Sequence, residues 1–222
     1  MRTNRSFFTL VVLSLAGLLI GCGESVESAG PKMREALRFK DTQQAEKLAR
    51  EVKGLGNYRP APDQLSILAE VCSDGNLAMA DLLLNNGADP KATDSVGRDA
   101  LIMSSNSAII SRLLQAGADP NHISPGSDMT VLGASVRRAD PESVKVLLAG
   151  GADSSKTGKD GKTPLQIAQE TKELFEGPDQ NKGDADDLLS KAKSSLKVST
   201  GEKALPRINQ IIAMLEVAGQ KK

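Results

Sequence analysis

Residues 87–90 read Gly87-Ala88-Asp89-Pro90, and the same four letters return as Gly117-Ala118-Asp119-Pro120. A third copy, Gly151-Ala152-Asp153-Ser154, loses only the proline, and the glycines stand 30 and 34 residues apart. Upstream of each copy lies a leucine-rich run: Asp81-Leu82-Leu83-Leu84, Arg112-Leu113-Leu114 and Val146-Leu147-Leu148. Downstream comes a second signal, clearest as Thr163-Pro164-Leu165-Gln166-Ile167-Ala168. Its earlier copies begin at Ser66, Asp99 and Thr130, so the four starts are separated by 33, 31 and 33 residues. A fixed period of this size predicts stacked supersecondary units in place of one closed core.

Each unit reads as a pair of helices. The Thr-Pro step suits a helix start, because threonine caps orphan N–H groups and proline fits the first helical position. The leucine run, with Met79, Ile109, Ile110 and Val144, makes the second helix apolar on its inner side. The glycine that follows supplies a left-handed terminator. A short polar segment such as Lys91–Gly97 then forms a hairpin-like finger before the next pair. With period and both signatures together, the chain resembles the ankyrin-repeat family over about residues 31–218. A tetratricopeptide array has a similar period but lacks fingers, and its Trp and Tyr signature is missing.

The resemblance implies an all-α solenoid with helical caps at both ends. Repeats are expected at 64–96, 97–127 and 128–160, after an N-terminal cap at 31–63. A C-terminal cap at 161–220 pairs helix 163–175 with helix 206–218, whose Ile208, Ile211, Ile212 and Leu215 follow helical spacing. An insertion near 177–203 interrupts it and offers a further amphipathic helix through Leu188, Leu189, Ala192 and Leu196. Two departures from the family pattern stand out. None of the repeats keeps the histidine after the motif leucine; Ala69, Ile102, Gly133 and Gln166 stand there, so the finger bases are expected to be less firmly braced. Ser104-Ser105-Asn106-Ser107 replaces the glycine turn between the helices of the second repeat and removes about three residues. That helix pair is expected to be short or bent, and the local weak point of the stack.

The N-terminus reads as an address. Arg2 and Arg5 precede an apolar run from Phe7 to Ile20 with no acidic residue. Fourteen helical residues rise about 21 Å, short of the roughly 30 Å hydrocarbon core, as in a secretory signal. The run ends in Leu19-Ile20-Gly21-Cys22, which resembles the lipobox of bacterial lipoproteins. The resemblance implies cleavage after residue 21 and attachment of a diacylglycerol-type lipid to Cys22. Loss of Arg2 and Arg5 lowers 28 basic residues to 26 against 28 acidic ones, a formal balance of −2. Residues 22–30 are polar and small and read as a flexible tether. Gly23, where an aspartate would favour the inner membrane, leans toward the outer membrane.

Composition excludes much chemistry. The 222 residues carry balanced charge, one histidine, two cysteines, no tryptophan and five Phe or Tyr. That fits neither a basic nucleic-acid binder nor an aromatic stacking platform. Cys22 and Cys72 are too few for a disulfide scaffold, and Cys72 reads as a small packing residue. His122 is expected to lie exposed in a finger, without a nucleophile to serve. The acidic run from Asp179 to Asp187 fails the calcium-loop pattern: Asp184 stands where glycine is needed and Ser190 where glutamate is needed. Gly158, Gly161, Lys162 and Thr163 are too closely spaced for a phosphate loop. No cofactor and no metal are expected.

A non-catalytic protein-binding module remains, anchored in the cell envelope and facing the periplasm. The ankyrin resemblance implies contact through finger tips and first-helix positions on the concave face. The tips align with Val96, Arg98, Asp128, Met129, Lys159 and Lys162; the helix positions align with Ser73, Asp74, Arg137, Arg138, Glu170 and Thr171. Arg98, Arg137, Arg138, Lys159 and Lys162 would form a basic strip suited to an acidic partner. The expected state is a monomer. Two alternatives stay open: an envelope enzyme or enzyme subunit with a site near the insertion, and an immunity-type binder of a toxic enzyme.

Overall fold

The computed structural model describes residues 24–124, 129–176 and 201–220, with only the backbone at 201–203. The described residues form an all-helical solenoid of the ankyrin type. In chain order the helices are α1 (Val26–Phe39), α2 (Thr42–Glu51), α3 (Ile67–Ser73), α4 (Leu77–Asn85) and α5 (Ala100–Met103). They continue as α6 (Ser107–Gln115), α7 (Val131–Arg137), α8 (Pro141–Ala149), α9 (Pro164–Glu176) and α10 (Gly201–Gly219). A 3₁₀ turn at Leu55–Asn57 links α2 to the first finger.

The recurring letters have a physical reading. Ser66, Asp99 and Thr130 stand at the N-caps of α3, α5 and α7, where each side chain accepts the amide three residues on, at 2.8–3.2 Å. At α9 the bond is reciprocal. The Gln166 amide reaches Thr163 Oγ1 at 3.2 Å, and the Thr163 amide donates to Gln166 Oε1 at 2.8 Å. This is a capping box, which satisfies two orphan donors at once. The Gly-Ala-Asp signature closes the other helix of each pair. Gly87, Gly117 and Gly151 hold φ of +86°, +96° and +91°, the left-handed region that a Cβ disfavours. The amides of Ala88, Ala118 and Ala152 then donate to Leu83, Leu113 and Leu147 at 2.9–3.0 Å, closing the helix end. The aspartates accept the amide two residues on, from Lys91, Asn121 and Ser155, and so turn the chain into the finger.

Helices α3, α5, α7 and α9 pack in succession as an inner row, and α2, α4, α6, α8 and α10 as an outer row. Apolar residues from both rows fill the space between them, Leu68, Leu101 and Leu132 from one side and Leu83, Leu113 and Leu147 from the other. Each repeat buries its faces only against its neighbours, which makes the stack quasi-one-dimensional. Leu174 and Val217 leave large apolar surface exposed at the C-terminal cap.

Two expectations meet the structure differently, and a third agrees with it. The tether does not extend to residue 30. Ser25 caps α1 by accepting the Ser28 amide at 3.2 Å, and Glu24 pairs with Lys32 at 2.5 Å, so residues 26–30 belong to a helix and not to a tether. The second repeat is indeed short on its inner side. Helix α5 spans 4 residues against 7 in α3 and α7. Its fingers, however, are braced. The lipobox, Cys22, Asp128 and most of the 177–203 insertion lie outside the described residues.

Candidate binding surface

The inner row and the fingers present one continuous face, and its charged residues are not equally available. Arg98 is held at the base of its finger. Its Nε donates to Asp94 Oδ2 at 2.6 Å and its guanidinium reaches the Asp63 carbonyl at 2.9 Å. Asp94, whose side chain is 0% exposed, also accepts the Val96 and Arg98 amides at 3.0 and 2.8 Å. Burial pushes its carboxyl upward, but the Arg98 amide and guanidinium outweigh that and hold it below the ordinary carboxylate range. Arg98 is therefore a brace for the finger and not a free cation of a strip.

Arg138 is a second correction. It turns inward at the end of α7 and donates to the Ser104 carbonyl at 3.2 Å and to Ser135 Oγ at 3.1 Å. Ser104 is the point at which the second repeat lacks its turn, so the third repeat reaches across to satisfy a carbonyl that its own repeat leaves open. Burial pushes the Arg138 guanidinium below its usual range, as expected for a cation withdrawn from water. Lys162 is spent on Glu170, at 2.6 Å. Thr171 is buried and its hydroxyl donates to the Ile167 carbonyl at 2.7 Å, so it belongs to the packing of α9.

Of the remaining expected contacts, Arg137, Lys159, Ser73 and Asp74 are exposed, and Met129 is half-buried. Val96 is exposed at its finger tip. The structure brings Arg98 and Val96 into one finger and puts Arg137 on the inner helix α7, but it forms no continuous basic strip from them.

His122 is also not an exposed tip residue. Its Nε2 lies 2.8 Å from the Gly97 carbonyl and 3.9 Å from Asp99 Oδ2, while Ser124 Oγ donates to the Val96 carbonyl at 3.1 Å. Together they tie the third finger to the second, the task the missing family histidine would perform elsewhere. Asn57 and Asn121 add a further clamp. The amide of Asn121 donates to the Gly151 carbonyl at 3.0 Å and accepts from the Asp153 amide at 2.8 Å. Asn57 repeats this toward Gly87 and Asp89 at 3.4 and 2.7 Å.

Around His122 the chemistry is structural. Burial, with Asp99 nearby, pushes the Cys72 thiol up to about 12, which leaves negligible thiolate at neutral pH. Burial also raises the Asp99 carboxyl, despite its bonds to the Ile102 and Leu101 amides and the pull of His122. Among the described residues no group of three or more His, Cys, Asp or Glu is placed to hold a metal ion.

The feature that sequence reasoning missed lies at the N-terminal end of the inner face. A groove of about 840 Å³ opens between α1 and α3, with Pro31, Leu37 and Phe39 on one wall and Leu65, Ser73 and Asp74 on the other. Phe39 is 71% exposed, the most exposed large apolar residue described. Tyr58 is in the core, and Phe175 packs against Ala139, Ala204 and Ile208. The signal was present in the sequence: Phe39 stands between Arg38 and Lys40, off the apolar pattern of its helix. Helix α1 packs on α2 and on the 3₁₀ turn, and Arg34 spans the gap to α3. Its guanidinium reaches Glu70 Oε1 and the Leu65 carbonyl, both at 2.7 Å, and Gln64 Oε1 at 3.1 Å.

Helix pairs, glycine terminators and interlocked fingers define a repeat scaffold with an extended surface. Comparison agrees for the centre of the stack: residues 99–148 match the family described as ankyrin repeats in many copies. No curated protein matches the chain. Ankyrin repeats are generally non-catalytic modules that bind other proteins, and the inner face described above is where such a scaffold presents its surface.

Proposed function

We propose that this protein is a lipid-anchored, non-catalytic protein-binding module of the bacterial cell envelope, facing the periplasm. The observation that carries the binding reading is the inner face of the stack, where an exposed aromatic and a groove stand beside cations already paired within the chain. An aromatic left in water costs solubility and supplies the anchor type that dominates protein interfaces. The anchoring reading rests on Leu19-Ile20-Gly21-Cys22 directly after an apolar run of signal-peptide length. The early start of α1 strengthens its consequence. With Gly23 alone between Cys22 and Glu24, a lipid on Cys22 holds the N-terminal cap within a few ångströms of the bilayer surface. Such confinement raises the effective concentration of the inner face toward envelope partners. Gly23 favours the outer membrane in this reading.

Palmitate labelling of cells expressing the wild type and Cys22→Ser tests the anchor. The wild type should take up label and sediment with membranes, and the variant should do neither. Label retained by the variant, or a soluble wild type, contradicts the anchoring. The binding reading is tested separately by cross-linking intact envelopes and recovering the tagged protein. A discrete heterologous adduct supports it, and only uncross-linked protein or self-adducts contradict it.

A further inference from the structure

We propose that the groove between α1 and α3 takes a partner-protein segment in which a Lys or Arg sits beside an apolar side chain. This deepens the protein-binding reading and rests on it; it replaces the acidic partner that a basic strip would have called for.

The argument starts from shape and surface. Phe39, Leu37 and Leu65 give the groove an apolar floor and wall, and Phe39 has water over most of its surface. One side of the ring is already taken by its neighbour, the Arg38 guanidinium, 5.9 Å from the ring centroid. That contact sets a cation beside the aromatic at the rim, at the outer limit of a cation–π distance. Phe and Arg are both enriched at protein interfaces.

Charge then selects the occupant. Three carboxylates line the groove, Glu35, Glu70 and Asp74, against two guanidiniums, Arg34 and Arg38. Arg34 is committed through its terminal nitrogens to Glu70 and two oxygens of the α3 approach, its buried Nε keeping no partner among the described residues, and Arg38 lies over Phe39. Glu35 and Asp74 are exposed and have no ion-pair partner among the described residues. Glu70 is half-buried, and its carboxyl is raised chiefly by burial. Arg34 works against this shift and Asp74 adds to it. A cation arriving beside Asp74 and Glu70 relieves that repulsion, whereas an incoming carboxylate adds to it. The best-matched segment therefore buries an apolar side chain against Phe39 and Leu65 and directs a neighbouring Lys or Arg toward Asp74.

The test uses the full-length protein in its native membranes. A photo-reactive benzophenone amino acid replaces Ser73, an exposed residue in the groove wall, and in a second strain it replaces Arg137 on α7. Irradiation is followed by mass spectrometry of the cross-linked peptide. The expected result is an adduct from position 73 on one heterologous segment, with Lys or Arg within two residues of the cross-linked apolar residue. Its yield should fall roughly tenfold or more with Phe39→Ser or Asp74→Lys, the scale of a hot-spot truncation. Both variants should melt with the wild type, since neither side chain packs in the core. An acidic segment, a second copy of this chain, a lipid adduct, or unchanged yield in both variants overturns the proposal. Heterologous adducts from position 137 alone overturn the groove while leaving protein binding intact. No heterologous adduct from either position overturns both.

Discussion

The two ends of the inner face invert their roles between sequence and structure. Toward the C-terminal half, Arg98, Arg138 and Lys162 look like surface charge in a string of letters. In the fold they are occupied, respectively by a buried aspartate, by the carbonyl of a shortened repeat, and by a glutamate on the next helix. At the N-terminal end, Phe39, to which the sequence reading assigned no role, is left in water over a groove. A formal charge tells nothing about availability until its partner is known, and an exposed aromatic gives a better pointer to a contact than a paired arginine does.

Substitutions can break or sharpen that contrast. The largest effect is expected from Arg98→Glu, which sets a second carboxylate against the buried Asp94. Removing one partner of a buried pair costs about 3–5 kcal/mol. Because the Arg98 side chain is 37% exposed, water screens part of the loss, and about 2 kcal/mol is expected in denaturant melts. Arg138→Ala comes next. It strips the donor from Ser104 and should cost about 1 kcal/mol, the low end for an orphaned carbonyl because Arg138 is only partly buried, with the second repeat losing amide protection first in hydrogen exchange. A near-neutral result for either would return that arginine to the candidate surface. At the small end, Arg137→Glu and Phe39→Ser should each change stability by less than about 0.5 kcal/mol, as surface substitutions do.

The two buried aspartates of the second finger sharpen the same point through pH. Asp94 has a lowered folded-state carboxyl, so its stabilisation is present above the unfolded value and is lost as pH falls through the folded one. Asp99 has a raised one, so the native state holds its proton longer. Stability from this group therefore falls as pH rises through the window between the unfolded and folded values, and the cost persists above it. Asp99→Asn, which keeps a capping oxygen for α5, should stabilise the protein at pH 8 and lose that advantage on acidification. Asp94→Asn should do the reverse, destabilising at pH 8 and converging with the wild type in acid. Thermal melts of both variants between pH 3 and pH 8, the span in which such carboxyls titrate, check the signs.

Most of the fold was legible because it is written locally. A capping residue before each inner helix, a leucine run and a left-handed glycine recur at nearly constant spacing, and each acts through its own few neighbours. The shortened α5 was legible for the same reason, since the missing turn is an absence in a repeating text. What stayed hidden acts across repeats. Arg138 is 34 residues from Ser104, His122 is 25 from Gly97, and Asn121 is 30 from Gly151. No periodicity announces such bonds, so the fingers looked unbraced and the arginines looked free. The groove was hidden for a related reason. It lies where the N-terminal cap departs from the repeat, and Arg34 bridges a gap that a regular repeat would close by packing.

The central claim is that this stack binds protein through the apolar N-terminal end of its inner face and not through basic charge. Cross-linked envelopes of the wild type, Phe39→Ser and Arg137→Glu, matched for melting temperature and membrane level, test it most directly. The account predicts that one heterologous adduct is recovered equally with the wild type and Arg137→Glu and is lost with Phe39→Ser. Loss with Arg137→Glu and retention with Phe39→Ser would contradict it.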